Sequence, residues 1–301
     1  MLLRRITQHV KDQNWFAVAL DFFIVVAGIL IAFQITNWNE GRQERQRTER
    51  LFERLEVSFG VDAWVANSFY FYHQAVMQNG QLAIDDLTGK HPLSDEDFLI
   101  AAYRATQFNR ITPTDSTYEE LVTTGGLDLI GDTDLGRIAS FYYENTIADD
   151  VQIDGKDSEY RILFRTITPI EVQLAIAKAC GDRPRSLDEL MANISELSYQ
   201  CTPDLPEETI EAAANTLREH PVLADALRLR LATLSQQITD FAKLNEAITP
   251  YRASRKELEA SAQFSVFLEK ESCSCAASRN TFASKTGSPS RSIFLLLSQV
   301  Y

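Results

Sequence analysis

The chain has 301 residues, of which 45% are hydrophobic, and its 42 acidic and 29 basic residues give a formal net charge of -13. Most of this negative charge follows Arg54, because Met1 to Arg54 contains 8 basic and 6 acidic residues, a net charge of +2. Such an acidic surface repels phosphate backbones, so nucleic acid is excluded as an expected partner. The length allows one or two helical units with a buried core.

The first predicted element is the apolar segment from Trp15 to Trp38, which contains no Lys or Arg. Its roughly 24 residues would form a helix about 36 Å long, enough to cross a hydrocarbon core of about 30 Å. Trp15 and Trp38 are the expected interface anchors, since indole favours the headgroup region. A cleaved signal peptide would be shorter, and a buried core helix rarely lacks Lys and Arg for so long. We therefore predict a transmembrane anchor over 15–38, preceded by a short basic tail over 1–14.

One face of this anchor is predicted to associate with another spanning helix. Ala17, Asp21, Gly28 and Ala32 share that face. The small pair Gly28 and Ala32 allows close approach of a second backbone, and a carboxylate at the depth of Asp21 is costly unless paired, protonated or able to reach the headgroups. The expected partners are the lipid bilayer and a second copy or another membrane protein. The alternative is that Asp21 only reaches the headgroups and the small residues are there by chance.

Residues 39–260 predict a helical, bundle-like soluble domain, which makes the chain all-α with one N-terminal transmembrane helix. We expect the anchor to continue into this domain as one rod, interrupted if anywhere at Gly41 or Gly60. We also expect breaks at Asn79–Gly80 and Thr88–Gly89. The face of the rod is defined by residues at steps of three and four, namely Phe52, Leu55, Phe59, Ala63, Ala66, Tyr70, His73 and Met77.

Shorter helices are expected next, one from about Phe98 to Phe108, one capped by Asp115 or Ser116, and one from about Ser158 to Ala179 that bends at Pro169. Two more are expected to begin at Ser186 and at Pro206. The last long helix has coiled-coil-like spacing, which favours lengthwise packing on the rod. Its spaced residues are Leu223, Leu227, Leu231, Leu234, Ile238, Phe241, Asn245 and Ile248.

The character of the chain changes over residues 261–301. About a quarter of these residues are Ser and the helical period is lost, which is typical of a disordered tail. A frameshifted or read-through end is the other interpretation.

The sequence contains no nucleotide-binding, metalloprotease or nucleophile-elbow motif. Asp132–Thr133–Asp134 resembles the start of a calcium loop, but Gly136 falls one position too early and Tyr143 stands where the bidentate Glu is required. We therefore interpret it as a helix cap. Glu119 and Glu120 are adjacent and point apart on a helix. We therefore expect no enzyme, no catalytic residue, no metal and no cofactor.

Three functional classes stay open, and the one ranked last is an enzyme with an unfamiliar site. The first is a membrane-anchored interaction or scaffolding module, which needs only an anchor and helical faces. The second is a ligand-sensing domain that acts through a partner, with a pocket near Tyr70, Tyr72 and His73. His73 lies on the apolar face of the rod, where a satisfied core histidine is the commoner outcome.

Two stretches resemble a known family. Residues 20–32, LDFFIVVAGILIA, followed by Asn37–Glu40, resemble the opening of a bacterial domain-of-unknown-function family of N-terminally anchored single-pass membrane proteins. Its second signature is similar to residues 118–121, Gly125–Gly126, Leu129–Ile130 and residues 141–143. The resemblance implies a bacterial membrane protein and implies no activity, substrate or cofactor.

The flanking charges alone place the domain in the cytoplasm, because five arginines follow the anchor and three basic residues precede it. Cys180 and Cys201 favour the opposite orientation. A short helix between them could bring them together to form a disulfide, and disulfides persist in the periplasm. We predict a bacterial inner-membrane protein with a cytoplasmic N-terminus, a periplasmic domain and a Cys180–Cys201 disulfide. Two unrelated buried thiols are the alternative.

Overall fold

A computed structural model of the protein describes the backbone of residues 15–261 and the side chains of residues 19–261. Every regular element in this range is helical and the range contains no strand, which confirms the predicted all-α class. The predicted basic tail 1–14 and, apart from Ser261, the predicted disordered tail 261–301 lie outside the described residues.

Helix α1 runs without a break from Trp15 to Leu87, a length of 73 residues or about 110 Å. The expected break at Asn79–Gly80 is wrong, and neither Gly41 nor Gly60 interrupts the helix. A Cβ atom at Gly80 would lie 2.5 Å from Cδ2 of Leu231, so this glycine permits close packing of another helix. The helix stops before Gly89, whose φ of +69° suits glycine.

The shorter helices surround the second half of α1. The predicted helix around Pro169 is wrong in one respect, because the chain forms two helices there. Proline lacks an N–H and pushes the preceding residue into an extended conformation, and Thr168 has a ψ of 130°. The helices are α2 Asp95–Ala105, α3 Ser116–Thr123, α4 Leu127–Ile130, α5 Asp134–Glu144, α6 Ile147–Lys156, α7 Glu159–Ile167, α8 Ile170–Cys180, α9 Leu187–Met191, α10 Glu207–Arg218, α11 Leu223–Ile248 and α12 Arg255–Ala260, with a 3-10 turn at Thr249–Tyr251.

Side-chain caps fix several of these helix starts. The hydroxyl of Thr133 accepts the N–H of Gly136 at 3.0 Å, so the Asp132–Thr133–Asp134 segment is a helix cap as interpreted from sequence. Ser186 forms a capping box with Glu189. Asp115 occupies the N-cap position of α3 but makes no side-chain cap hydrogen bond.

Helix α11 packs lengthwise on α1, as its spacing predicts, and the two helices share two hydrophobic cores. The anchor-proximal core includes Leu51, Leu55, Phe59, Phe69, Tyr72, Val76, Leu121, Tyr142, Leu234, Phe241 and Ile248. The anchor-distal core includes Ala83, Ile84, Phe98, Leu99, Tyr160, Phe164, Ile176, Cys180, Leu217, Leu223 and Leu227.

Burial differs sharply between nearby positions of α1. Leu55 is 0% exposed in the anchor-proximal core, whereas Val57, two residues later on the same helix, is 56% exposed. Leu55→Ala should lower the free energy of unfolding by about 2 to 5 kcal/mol because it leaves a cavity, and Val57→Ala should change it by no more than about 0.5 kcal/mol. Urea titration of the solubilised full chain, followed by fluorescence, measures both. Equal losses in the two variants would contradict this packing.

Candidate functional site

The predicted anchor stands clear of the domain. Its large apolar side chains are exposed on every side of the helix, from Leu20 at 49% to Phe23 at 71% and Trp38 at 63%. Within the described residues, this is the one helix long and apolar enough to cross a membrane, with a mean hydropathy of 2.2 over its most apolar stretch. A helix that is apolar all round and uncovered by protein suits lipid. The chain therefore has the form of a single-pass membrane protein.

The predicted association face remains open in the structure. Asp21, Gly28 and Ala32 are exposed, and a Cβ atom at Gly28 would meet nothing within 4 Å. Trp15 and Ala17 belong to α1, but their side chains lie outside the described ones. At the other end of the span, the Arg42 guanidinium lies 5.9 Å from the ring centroid of Trp38. This face is therefore free to receive a second helix.

Just beyond the membrane span, α1 makes its first contacts with the shorter helices, here with α3. Glu120 of α3 accepts a hydrogen bond from Arg47 at 2.8 Å and lies 3.5 Å from Arg54, and the hydrogen bond from Arg47 lowers the pKa of Glu120. Thr48 is buried and packs close to Gly126, where a Cβ atom would lie 3.4 Å from the Thr48 hydroxyl. Exposed ion pairs contribute little stability, whereas Tyr118 and Leu121 of α3 are buried in the same core as Leu51 of α1.

The region near His73 does not form the pocket that a sensor would need. The cavity lined by Phe69, Tyr70 and His73 is about 10 Å³, room for at most one water. Nδ1 of His73 lies 2.9 Å from the Phe69 carbonyl oxygen, and burial lowers the pKa of His73 to about 3. The Tyr72 hydroxyl donates to Asp182 at 2.8 Å. These side chains are part of the packed interior.

The other polar side chains do not converge on a metal site. Among the described residues, no three His, Cys, Asp or Glu side chains come together as a metal site would require. Glu119 is exposed, while its neighbour Glu120 is occupied by Arg47. The two carboxylates thus point to different surroundings, as adjacent helical residues do.

The predicted cysteine pair closes the loop that follows α8. Cys180 and Cys201 form a disulfide with their Cα atoms 5.4 Å apart. Arg104 reaches across from α2, where its Nε donates to the Cys180 carbonyl at 3.0 Å and its Nη2 donates to the Tyr199 carbonyl at 3.1 Å. The hydroxyl of Tyr199 donates to the Gly181 carbonyl at 2.7 Å. The cross-link is therefore embedded in a network that fixes both ends of the loop.

A buried ion pair attaches this loop to α1. Arg185 and Glu196 lie 2.5 Å apart with side chains 2% and 4% exposed, and Arg185 also donates to the hydroxyl of Ser68 on α1. Nearby, Asn67 of α1 donates to Asn193 at 2.6 Å. Breaking one partner of such a buried pair is typically costly, because the other charge is left uncompensated. The loop is thus held to the central helix by polar contacts.

Sequence reasoning also missed buried charges on the long helices, among them Asp62 and Arg230. Asp62 accepts hydrogen bonds from the Thr114 N–H at 3.0 Å and from the Tyr143 hydroxyl at 2.8 Å, and burial raises its pKa to about 6. Arg230 on α11 is also buried. Each residue stands three or four positions from core residues of the same helix. A charged residue at such a position was the sequence signal that could have predicted its burial.

No family model, curated protein or solved structure matches this chain. The family resemblance therefore stays a prediction.

Proposed function

We propose that the protein is a membrane-anchored interaction or scaffolding module that holds a rigid helical domain at a fixed height above the bilayer. The observation that carries this proposal is the continuity of α1. The same helix supplies the uncovered apolar span up to Trp38 and the centre of the domain core from Leu51 onward. Leu51 lies thirteen positions after Trp38, which corresponds to about 20 Å of helix. A stiff connection of this kind suits a module that positions binding surfaces.

The open face of the span supports an interaction within the membrane. Asp21, Gly28 and Ala32 offer a polar group and a small-residue pair on one side of a helix that no described element covers. In lipid, association depends on close backbone packing and on polar contacts between helices. We propose that this face binds a second copy of the chain or another spanning helix.

We further propose that the domain lies in the periplasm of a bacterium, with the N-terminus in the cytoplasm. The Cys180–Cys201 disulfide supports this orientation, because structural disulfides persist in the periplasm and are rare in the cytoplasm. The arginines that follow the span favour the opposite orientation. We give the disulfide more weight because the surrounding hydrogen bonds hold both of its ends in place.

The association face can be tested with a matched pair of substitutions. Gly28→Leu should weaken self-association or partner binding by tenfold or more, in rough proportion to the loss of close backbone contact. Ala19→Leu adds a similar side chain near the opposite side of the helix, where we expect no effect. Energy transfer between labelled copies in lipid vesicles measures self-association, and a membrane two-hybrid assay measures other partners. Signals unchanged in both Gly28→Leu and Asp21→Leu would rule out this face.

The orientation can be tested by alkylation of a chain in which Cys273 and Cys275 are replaced by Ser, which leaves Cys180 and Cys201 as the remaining cysteines. After denaturation in alkylating agent, we expect no label without reductant and two labels with it. The additional change Cys201→Ser should expose one thiol and serves as the positive control. Free, alkylatable Cys180 and Cys201 in protein from bacterial cells would contradict a periplasmic domain.

A further inference from the structure

Helices α3, α4 and α5, with Thr114 just before them, form one unit that lies along α1, here the α3–α5 unit. At its start, the N–H of Thr114 donates to Asp62 of α1 at 3.0 Å. Near its middle, Gly126 packs close to Thr48, which lies about 21 Å nearer the membrane along α1 than Asp62 does. Near its end, the hydroxyl of Tyr143 donates to Asp62 at 2.8 Å. Both ends of the unit are therefore attached to α1 at the same carboxylate.

The Asp62 carboxylate is buried and has only neutral donors. The residue is 1% exposed. Both of its carboxylate oxygens accept the Thr114 N–H, at 3.2 and 3.0 Å, and Oδ2 also accepts the Tyr143 hydroxyl. Among the described residues, no lysine or arginine forms an ion pair with it. Neutral donors satisfy its hydrogen bonds without cancelling its charge, so burial still disfavours the ionised form.

The titratable groups that face Asp62 supply no positive charge. From α5, Tyr143 donates to it, and burial together with the nearby Asp62 charge raises the pKa of Tyr142. From the residue before α3, the carboxylate of Asp115 adds a like charge. Arg252, which follows the 3-10 turn packed on α1, donates to two asparagine side chains instead. The groups that act on the ionised carboxylate are thus neutral or negative.

Burial raises the pKa of Asp62 to about 6, from an ordinary value of 3.8. The Asp115 charge acts in the same direction, and the hydrogen bonds from Tyr143 and Thr114 oppose this rise without cancelling it. If the α3–α5 unit detaches, water reaches the carboxylate and its pKa returns to about 4. The attached state therefore binds the proton more tightly. The stability that this proton adds is fully present below about pH 4 and is lost as the pH rises through about 6.

We propose that Asp62 is a pH-sensitive clasp, which holds the α3–α5 unit on α1 more tightly when its carboxyl group is protonated. The neutral carboxyl group still accepts the Thr114 N–H, and it can donate its own proton to the Tyr143 hydroxyl oxygen. Attachment then no longer requires a buried charge. As the pH rises toward neutral, the unit detaches more often and uncovers Phe59 of α1, on which the Tyr142 and Tyr143 rings pack. This regulation goes beyond the proposed tethering function and does not depend on it.

Hydrogen exchange of the full chain in lipid nanodiscs, followed by mass spectrometry, tests the proposal. Peptides that cover α3 and α5 report how often this unit opens, once the intrinsic effect of pH on amide exchange is corrected for. Because the pKa of Asp62 is about 6 in the attached state and about 4 in the detached state, opening should be about tenfold more frequent at about pH 7.5 than at about pH 5. Equal opening at the two pH values would overturn the proposal.

Three variants assign the effect to this carboxylate. Asp62→Asn keeps the shape of the side chain but cannot titrate, so opening should be equally frequent at both pH values. Tyr143→Phe removes a hydrogen bond that opposes the rise in the pKa of Asp62, so the midpoint of the pH dependence should move upward. Asp128→Asn, which removes an exposed carboxylate of the same unit, is the matched control and should keep the tenfold difference. A tenfold difference that persists in Asp62→Asn would show the proposal to be wrong. If Asp62→Asn does not fold, an unshifted midpoint in Tyr143→Phe leads to the same conclusion.

Discussion

Water does not favourably solvate the apolar side chains between Leu20 and Trp38, and no other part of the described chain covers them. At about 25 cal/mol per Å² of apolar surface, this segment is far more stable in lipid. Because α1 has no break before Leu87, its placement in a bilayer also places the domain. The shorter helices build their cores on α1 itself, so a rotation or shift of the span would be carried directly into the domain core. No separate linker intervenes to absorb it.

The helical faces that can be recognised by spacing alone were predicted well. The faces from Phe52 to Met77 and from Leu223 to Ile248 both turn inward, because steps of three and four bury one side of a helix whatever its partner is. The errors came from residues whose effect depends on a neighbour. Gly80 continues the helix because Leu231 packs against it. Helix α6 was not predicted, because Asp149, Asp150 and Asp154 obscure the spacing of its apolar residues. Among its large apolar residues, Val151 alone is fully buried.

Among the polar features too, some could be predicted from the sequence and others depend on a distant neighbour. The Cys180–Cys201 pair was predictable because two cysteines flank a short helix and few other cysteines compete. The Arg185–Glu196 pair joins residues of an irregular loop to Ser68 on a distant helix, and no local pattern encodes that contact. Arg230 carried no prediction, although it stands three residues after Leu227 and four before Leu234. Its missing acceptors become visible only when the surrounding helices are in place.

One unbroken helix, α1, joins the membrane span to the domain. The most direct test is the distance between nitroxide labels at Ile35→Cys and Val57→Cys, both exposed positions, measured by pulsed electron spin resonance in nanodiscs with Cys273 and Cys275 replaced by Ser. The two sites are 22 residues apart and lie on nearly the same face of the helix. A continuous helix therefore predicts a single narrow distribution of label-to-label distances, centred at about 33 Å. A broad distribution, or a main distance well below that value, would mean that the helix bends or breaks between membrane and domain, and would contradict the account.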